Sequence, residues 1–260
     1  MLTLYEKKTT DFVFNHLIYD NAKDKNFAMH SHCNFELIYV FRGEVEYTIE
    51  NKKFYIKPGD LILIKPLAYH CFTITSNSDY EKIGVQINTA LLGVEPTIND
   101  TAEVFSVGEG IIKDNFVKIS AYYKLFSEKV FFDMLFPLVK EIIYNFELLE
   151  KNTINTFEHL PKYVSQAISY INENLFTIKN LEEIASALFV SKSYFISLFN
   201  KHLKIAPKQY ITEKRLLHAK NMISMGKKPT DIYEACGFSN YTSFFRSYKK
   251  YFGVAPSQNK

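Results

Sequence analysis

The sequence lacks the features of a membrane protein and the short motifs of the common enzyme classes. No stretch approaches the roughly 18 consecutive apolar residues that a membrane-spanning helix needs. The first residues lack the basic and then apolar pattern of a secretory signal peptide. The motif GxSxG, a Walker loop and a dinucleotide-binding fingerprint are also missing. We therefore expect a cytoplasmic protein that neither spans nor binds a membrane and is not an enzyme.

Cysteine is scarce as well. The three cysteines, Cys33, Cys71 and Cys236, show no CxxC spacing and leave one thiol over in any disulfide scheme. We therefore expect reduced thiols. The chain does have 47% hydrophobic and 23% charged residues among its 260 residues, which is typical of folded globular proteins. This length leaves room for two domains.

Positive charge is concentrated toward one end of the chain. Residues 161–260 carry 15 Lys and Arg against 6 Asp and Glu, a net charge of +9, and the other residues carry 16 against 22, a net charge of −6. A basic segment joined to an acidic one suggests a polyanionic partner, because neutralised phosphates release condensed counterions. A basic surface that serves only solubility explains the charge equally well.

Residues 27–88 have the pattern of β-structure. They contain short runs rich in β-branched and aromatic residues, such as FELIYVF, VEYTIE, LILIKP and KIGVQI, and turn sequences such as KPGD and SNSD separate them. Many short strands at this spacing predict a small barrel or sandwich. We assign residues 1–115 to this β-domain.

The period of the apolar residues becomes helical from about residue 116. Steps of three and four residues predict two helices over 116–149, with the stripe Ile119, Tyr122, Tyr123, Phe126, Phe131, Leu135, Leu138, Ile142, Phe146 and Leu149. Such a stripe serves either core packing or a dimer interface. The polar residues that follow end in Pro161, so we place a linker over 150–161 and a helical domain over 162–260.

The C-terminal domain contains one unit twice, over about 181–203 and 230–252. In each unit an isoleucine precedes a serine by seven residues: Ile184 and Ser191, then Ile232 and Ser239. Phe and a second aromatic residue follow each serine, and each unit closes with Ala-Pro. A short helix, a turn and a longer helix with the serine as N-cap explain this pattern. Gly237 can take a positive φ in the second turn, so both units have the form of a helix-turn-helix.

The longer helix of each unit is predicted to have an apolar face and an exposed face. The exposed faces carry small polar groups, positive charges and one apolar side chain each, which suit base edges and thymine methyl groups in a major groove. Lysines beside them suit phosphates. The candidate DNA contacts are Lys192, Ser193, Ile196, Ser197, Asn200 and Lys201 in the first unit and Tyr241, Thr242, Phe245, Arg246, Lys249 and Lys250 in the second. A helical bundle with solvated faces is the competing interpretation, and two copies on a basic segment disfavour it.

The C-terminal hundred residues resemble the paired helix-turn-helix domain of the AraC/XylS transcription regulators. The resemblance rests on IASALFVSKSYFISLFNKHLKIAP, on RLLHAKNMI and on IYEACGFSNYTSFFRSYKKYFGVAP. It implies a connecting helix over about 208–225 that holds both units, so that their second helices enter successive major grooves of double-stranded DNA. The sequence departs from the family pattern at Ser197, where Arg is frequent, and at Phe245, where a small residue is usual.

Several histidines occur in the N-terminal domain. His30, His32 and Glu36 point to one side if their segment is a strand, and His70 follows later. Imidazoles and a carboxylate in one cavity suit a divalent metal. They also suit a small-molecule pocket, to which Arg42 is a further candidate contributor, or a filled barrel with hydrogen-bonded histidines. The spacing resembles the first motif of the cupin barrels, whereas the second motif lacks the usual glycine three residues before His70.

The sequence thus predicts an α+β multidomain protein, with an N-terminal cupin-like β-barrel, appended helices and a C-terminal all-α double helix-turn-helix domain. We interpret it as a transcription regulator without a cofactor, which a small-molecule effector controls through the barrel; the family's habits suggest a sugar. The resemblance implies a homodimer paired through residues 116–149, and RNA polymerase is a further candidate partner. Three alternatives stay open: a cupin-type metalloenzyme, an architectural DNA binder, and a regulator without an effector.

Overall fold

The computed structural model describes residues 2–9, 12–20, 26–94, 96–149 and 157–258. Contacts between Cα atoms divide the chain into two compact units. The first unit comprises Met1–Phe27, Asn34–Ile49 and Lys53–Phe157, and the second comprises Ala28–Cys33, Glu50–Lys52 and Glu158–Lys260. The segments Ala28–Cys33 and Glu50–Lys52, which were predicted in the β-domain, belong to the second unit, and the predicted domain bounds stay a prediction.

Two β-sheets form the body of the first unit. Their strands are β1 (Leu2–Lys8), β2 (Phe12–Tyr19), β3 (Phe35–Arg42), β4 (Val45–Ile49), β5 (Lys52–Ile56), β6 (Asp60–Ile64), β7 (His70–Ile74), β8 (Tyr80–Ile87) and β9 (Ala102–Ser106). The larger sheet has the order β1-β2-β8-β3-β6-β9, and its neighbouring strands run antiparallel. In the smaller sheet β5, β4 and β7 lie side by side. The sequence pattern predicted β3 to β8 and missed β1, β2 and β9.

Strand alternation gives the larger sheet two buried faces. In β3, Phe35, Leu37 and Tyr39 pack in one hydrophobic cluster, and Ile38 and Val40 pack in another. The second cluster also contains apolar residues of β4 and β7, so it lies on the face of the larger sheet that looks toward the smaller one. We call this side the inner face. A sheet covered on both faces explains why its strands read as nearly continuous apolar runs.

The other face of the larger sheet is covered by helices. These are α2 (Ile111–Leu125) and α3 (Glu128–Leu148), which follow the short α1 (Thr89–Leu92). Of the predicted stripe, Ile119, Phe131, Leu135, Ile142 and Phe146 are buried in the same cluster as the odd-numbered residues of β3. The stripe that the sequence displays most clearly therefore serves core packing.

The second unit is helical. Its helices are α4 (Lys162–Glu173), α5 (Leu181–Ala187), α6 (Lys192–Leu203), α7 (Pro207–Ser224), α8 (Pro229–Ile232) and α9 (Tyr241–Phe252). A short strand, β10 (Phe157–His159), lies within the predicted linker over 150–161, and residues 150–156 lie outside the described part of the chain. None of the helices in the described residues combines the length and apolarity needed to span a bilayer.

Helix α7 is the common support of both helix-turn-helix units. Its residues Leu216, Ala219 and Ile223 share a buried cluster with Phe244 and Tyr248 of α9. Toward the first helix-turn-helix unit, the ring of Tyr210 in α7 lies 5.4 Å from the ring of Phe199 in α6. This arrangement agrees with the predicted connecting helix over 208–225.

A charged cluster is buried in the second unit. The Nζ atom of Lys214 lies 2.7 Å from Oε1 of Glu50 and 2.6 Å from Oδ1 of Asn172. The hydroxyl of Tyr210 donates a hydrogen bond of 2.5 Å to Oε2 of Glu50. Glu50 and Lys214 are only 2% and 6% exposed. The pair therefore has its charges compensated inside the protein instead of by water.

Candidate nucleic-acid interface and ligand pocket

Helix α6 has the two faces that the sequence predicts. It begins at Ser191, whose Oγ accepts a hydrogen bond of 3.2 Å from the N–H of Tyr194 and so caps the helix. Phe195 and Phe199 are buried. Of the candidate DNA contacts, Lys192, Ser193, Ser197, Asn200 and Lys201 are exposed and Ile196 is half-buried. The Nζ atom of Lys192 lies 2.5 Å from Oε1 of Glu182, so this lysine already has an acidic neighbour.

Helix α9 begins one residue later than predicted. Its N-cap is Asn240, whose Oδ1 accepts a hydrogen bond of 2.8 Å from the N–H of Ser243. The prediction of Ser239 as N-cap is therefore wrong. The second turn contains one more residue than the first, and an Asn side chain caps a helix as well as Ser does.

The exposed face of α9 resembles that of α6. Thr242, Arg246, Lys249 and Lys250 are exposed, at the spacing of one helix face and its flank. Tyr241 and Phe245 are half-buried, with ring centroids 6.1 Å apart. Phe245 therefore packs partly against its own helix and presents the rest of its ring to the outside.

The two turns share a hydrogen-bond pattern but differ in one residue. The N–H of Phe189 donates to the carbonyl of Ser186 at 3.1 Å, and the N–H of Gly237 donates to that of Glu234 at 2.8 Å. Both residues have positive φ, 55° for Phe189 and 80° for Gly237. Phe189 is 95% exposed. The sequence analysis missed this residue, although it stands where a 48-residue repeat places the glycine.

The inner face of the first unit contains a polar group at its centre. The Nε2 atom of His70 lies 3.1 Å from Oε2 of Glu36, and Nδ1 of His70 lies 2.9 Å from the carbonyl of Ala68. The amide of Gln86 donates to Oε1 of Glu36 at 3.4 Å. Glu36 and His70 are each 2% exposed. Two of the predicted effector contacts are therefore together, and Gln86 is an addition that sequence reasoning missed.

Lys82 is the second addition on the inner face. It lies opposite Val40 in the pairing of β3 with β8, and it is buried. Its Nζ lies 5.0 Å from the centre of the Phe72 ring. Burial lowers the pKa of Lys82 from its ordinary value of 10.5, and the charge of Glu36 opposes this change.

Two tyrosines complete the inner polar group. Tyr47 and Tyr80 are fully buried there, and burial is the main cause that raises the pKa of each hydroxyl well above its ordinary value. Both therefore remain neutral. The even spacing of Tyr80, Lys82 and Gln86 places them on one face of β8, opposite the apolar Ile83, Val85 and Ile87, but it does not indicate which face is the inner one.

Among the other predicted effector contacts, Arg42 bonds to an acidic neighbour, and His30 and His32 lie outside β3. The Nε atom of Arg42 donates to Oε2 of Glu81 at 2.7 Å, and Oε1 of Glu81 lies 2.8 Å from Nε2 of His16. Glu81 alternates with Lys82 and therefore faces away from the inner polar group. His30 and His32 precede β3, which begins at Phe35, and they belong to the second unit. The prediction that these two histidines share a strand face with Glu36 is wrong, because the strand begins too late.

The first unit by itself supplies few ligands for a metal. Among its described residues, the inner polar group offers Glu36 and His70 as donors, and a tetrahedral site takes four ligands. The N–H of His70 directed at a backbone carbonyl is an arrangement that metal-binding histidines share with buried structural ones. The pair fits the recognition of a small polar molecule at least as well as the binding of a metal.

In the comparison with known proteins, two family models match different parts of the chain. The family model "AraC-like ligand binding domain" matches residues 16–93, and "Helix-turn-helix domain" matches residues 184–260. The chain is 25% identical over 243 residues to the probable transcriptional regulator LumQ of Photobacterium leiognathi, covering 90% of this chain and 92% of that protein.

Two further relatives match shorter stretches. The melibiose operon regulatory protein of Escherichia coli K12 is 29% identical over 109 residues, which are 42% of this chain and 35% of that protein. An AraC-type DNA-binding domain structure from Chromobacterium violaceum is 28% identical, with a TM-score of 0.35, and the match covers 37% of this chain and 88% of that one. With an AraC-like ligand-binding domain before a helix-turn-helix domain, the chain is an AraC-type DNA-binding transcription regulator whose N-terminal domain is cupin-like.

Proposed function

We propose that this regulator reads two adjacent DNA elements, one with α6 and one with α9. Its proposed location is the cytoplasm, and RNA polymerase is a proposed partner. The observation that supports this proposal is the pair of exposed polar faces, Ser193, Ser197 and Asn200 on α6 and Thr242, Arg246 and Lys249 on α9. Each face has the spacing of a helix that enters a major groove. The lysines that flank them are suited to phosphates.

Arg246 and Lys201 are expected to contribute differently to DNA binding. Replacing Arg246 with Ala is expected to weaken binding by about 1 to 3 kcal/mol and to relax discrimination at one base pair, because a guanidinium can make two hydrogen bonds to guanine. Replacing Lys201 with Ala is expected to weaken binding to all sequences alike and to flatten the salt dependence, because a phosphate contact carries no sequence information. Fluorescence anisotropy on matched and single-mismatch duplexes at several salt concentrations measures both effects.

The two substitutions serve as controls for each other, since both remove an exposed positive charge from a recognition helix. Equal losses on matched and mismatched duplexes for Arg246→Ala would assign Arg246 to a phosphate. Altered base discrimination in Lys201→Ala would contradict its assignment.

We propose further that a small-molecule effector binds at the inner polar group. Lys82 supports this, because it is buried near the carboxylate of Glu36, and acceptor atoms of a ligand would offset the cost of burying its ammonium group. Glu36 and the Tyr47 and Tyr80 hydroxyls would add an acceptor and donors. A sugar or another small molecule with acceptor oxygens has the chemistry that these groups recognise.

The Lys82 prediction can be tested without the effector. Replacing Lys82 with Met is expected to raise the free energy of unfolding by about 1 to 3 kcal/mol, because the substitution removes a charge that burial destabilises and keeps most of the volume. Urea unfolding followed by circular dichroism measures the change. Lys129→Met, at an exposed position of α3, is the control and is expected to change stability by less than about 0.5 kcal/mol. A clear loss of stability in Lys82→Met would mean that the ammonium is part of the fold.

We propose that a second copy of the chain pairs through the outer face of α3. Val130, Met134, Tyr144 and Leu148 are exposed. Together with Pro137 and Glu141, they follow alternating steps of four and three residues along the helix. This is the spacing of a coiled-coil seam, over about 27 Å of helix. The predicted dimer segment over 116–149 thus contains an outer stripe that differs from its buried one.

Met134→Glu is expected to weaken dimerisation at least about tenfold, since a charge would be buried in the middle of the seam. Sedimentation equilibrium over a range of concentrations measures the dimer dissociation constant. Val117→Glu introduces the same charge at an exposed apolar position of α2 and is expected to leave the constant unchanged. The opposite result, with only Val117→Glu dissociating the dimer, would move the interface to α2.

A further inference from the structure

Arg215 connects the segment before α5 to the turn of the second helix-turn-helix unit through its guanidinium group. Its Nε donates to the carbonyl of Leu175 at 2.8 Å, and one Nη donates to the carbonyl of Ile178 at 2.6 Å. Both carbonyls lie between α4 and α5, on the approach to the first unit. The other Nη donates to the carbonyl of Gly237 at 2.8 Å, in the turn of the second unit. One side chain of the connecting helix therefore bonds three carbonyls from both halves of the domain.

The turn of the second helix-turn-helix unit packs tightly against this arginine. A Cβ atom at Gly237 would lie 2.7 Å from Nε of Arg215 and 2.8 Å from the carbonyl oxygen of Phe176. Contacts this short leave no room for a side chain, and the φ of 80° also favours glycine. The ring of Phe176 in turn lies 4.6 Å from the ring of His218 in α7. The segment before α5, helix α7 and the turn before α9 thus meet at one junction.

The first helix-turn-helix unit does not have a corresponding junction at its own turn, among the residues that the structure describes. Phe189 occupies the position equivalent to Gly237 and is almost fully exposed. The close packing at Gly237 is therefore not a requirement of the turn itself, because the same hydrogen-bond pattern accommodates a large side chain in the other copy. It reflects the contact between the two halves.

We propose that Arg215 is a positioning residue that fixes the distance and angle between the recognition helices α6 and α9. A guanidinium is suited to this role, because its planar fork holds several acceptors in fixed directions, whereas an ammonium group of lysine does not. Since each recognition helix reads one DNA element, the arginine sets the spacing between elements that the protein accepts. This inference rests on the proposed reading of two elements.

The geometric part of the inference is tested without DNA. Spin labels at Ser197→Cys in α6 and Thr242→Cys in α9, with Cys33 and Cys71 replaced by Ser, report the distance between the helices by pulsed electron paramagnetic resonance. The full-length protein with Arg215 is expected to give one narrow distance distribution, and Arg215→Lys is expected to broaden it about twofold. The exposed Lys208→Met on the same helix is the control for a change of side chain on α7 and is expected to leave the distribution narrow.

The functional part uses duplexes enriched by the wild-type protein, with one base pair inserted or deleted between the elements. Wild-type protein is expected to lose about tenfold in affinity on the altered duplexes, and Arg215→Lys is expected to lose much less relative to its own optimum. Gly237→Ala, which forces the turn away from an intact Arg215, is a second variant with the same expected outcome should Arg215→Lys fold poorly.

The outcomes separate the inference from the proposed function. A narrow distribution in both Arg215→Lys and Gly237→Ala, with an unchanged spacing preference, would overturn the positioning role. Wild-type protein that shows no spacing preference would instead contradict the reading of two elements, whatever the distance measurement gives. If Arg215→Lys lost the same affinity on all duplexes, Arg215 would have only a structural or electrostatic role, and this result would also overturn the inference.

Discussion

Replacing Lys214 with Met is expected to lower the free energy of unfolding of the second unit by about 3 to 5 kcal/mol. The substitution would remove the ammonium group from the buried carboxylate of Glu50, which would keep its contacts with the Tyr210 hydroxyl and the amide of Asn172. An uncompensated buried charge costs far more than the loss of an exposed ion pair, which is worth about 0 to 1 kcal/mol. Urea unfolding followed by far-UV circular dichroism, which is dominated by the helices, measures the loss.

The exposed Lys208 on the same helix provides the matched control. Lys208→Met removes the same charge at the surface and is expected to change stability by less than about 0.5 kcal/mol. The double variant Lys214→Met with Glu50→Gln is expected to recover part of the loss, because the second substitution removes the uncompensated charge. A loss below about 1 kcal/mol for Lys214→Met would mean that water replaces the ammonium and that the cluster is not buried in solution.

Phe244→Ala is expected to lower the stability of the second helix-turn-helix unit by about 3 to 5 kcal/mol and to abolish specific DNA binding. Phe244 is fully buried, and its ring centroid lies 5.3 Å from that of Phe238 and 5.5 Å from that of Tyr248. The cavity left by the ring would remove packing contacts between α9 and α7. Stability is measured by thermal unfolding, and binding is measured by anisotropy with a selected duplex.

The neighbouring residue offers an unusually close control. Phe245 is the same amino acid on the same helix, but it is half-buried and lies on the side proposed to meet DNA. Phe245→Ala is expected to cost less than about 1.5 kcal/mol of stability and to change affinity or base preference while the protein stays folded. If both substitutions gave equal losses of stability, the assignment of the buried and exposed faces of α9 would be wrong.

The sequence predicted the helix-turn-helix units well because their signals are local. The spacing of Phe195 and Phe199 is set by one helix, and the Ser191 cap is read from four consecutive residues. The error at Ser239 arose in the turn, where an inserted residue moved the cap to Asn240. The Arg215 junction was out of reach, because its three carbonyls come from segments that are 22 to 40 residues away.

The ligand-binding domain was predicted in outline, but its inner polar group was predicted only in part. Glu36 and His70 stood out as polar residues in apolar strands. Lys82 reaches the inner face only through the pairing of β8 with β3, which is a non-local property that one strand does not reveal. His30 and His32 were placed on a strand that begins after them. The outer stripe of α3 escaped notice because the buried stripe gave a stronger apolar pattern.

The most direct test of two-element DNA reading is selection of randomised duplexes by the purified full-length protein at near-physiological salt, followed by sequencing of the bound pool. The expected result is an enriched motif with two elements about one helical turn apart, and a repeat or inverted repeat of that motif would indicate binding as a dimer. A bound pool that shows a single short element, or no enrichment by protein shown to be folded and tested with added effector candidates, would contradict the reading of adjacent elements by α6 and α9.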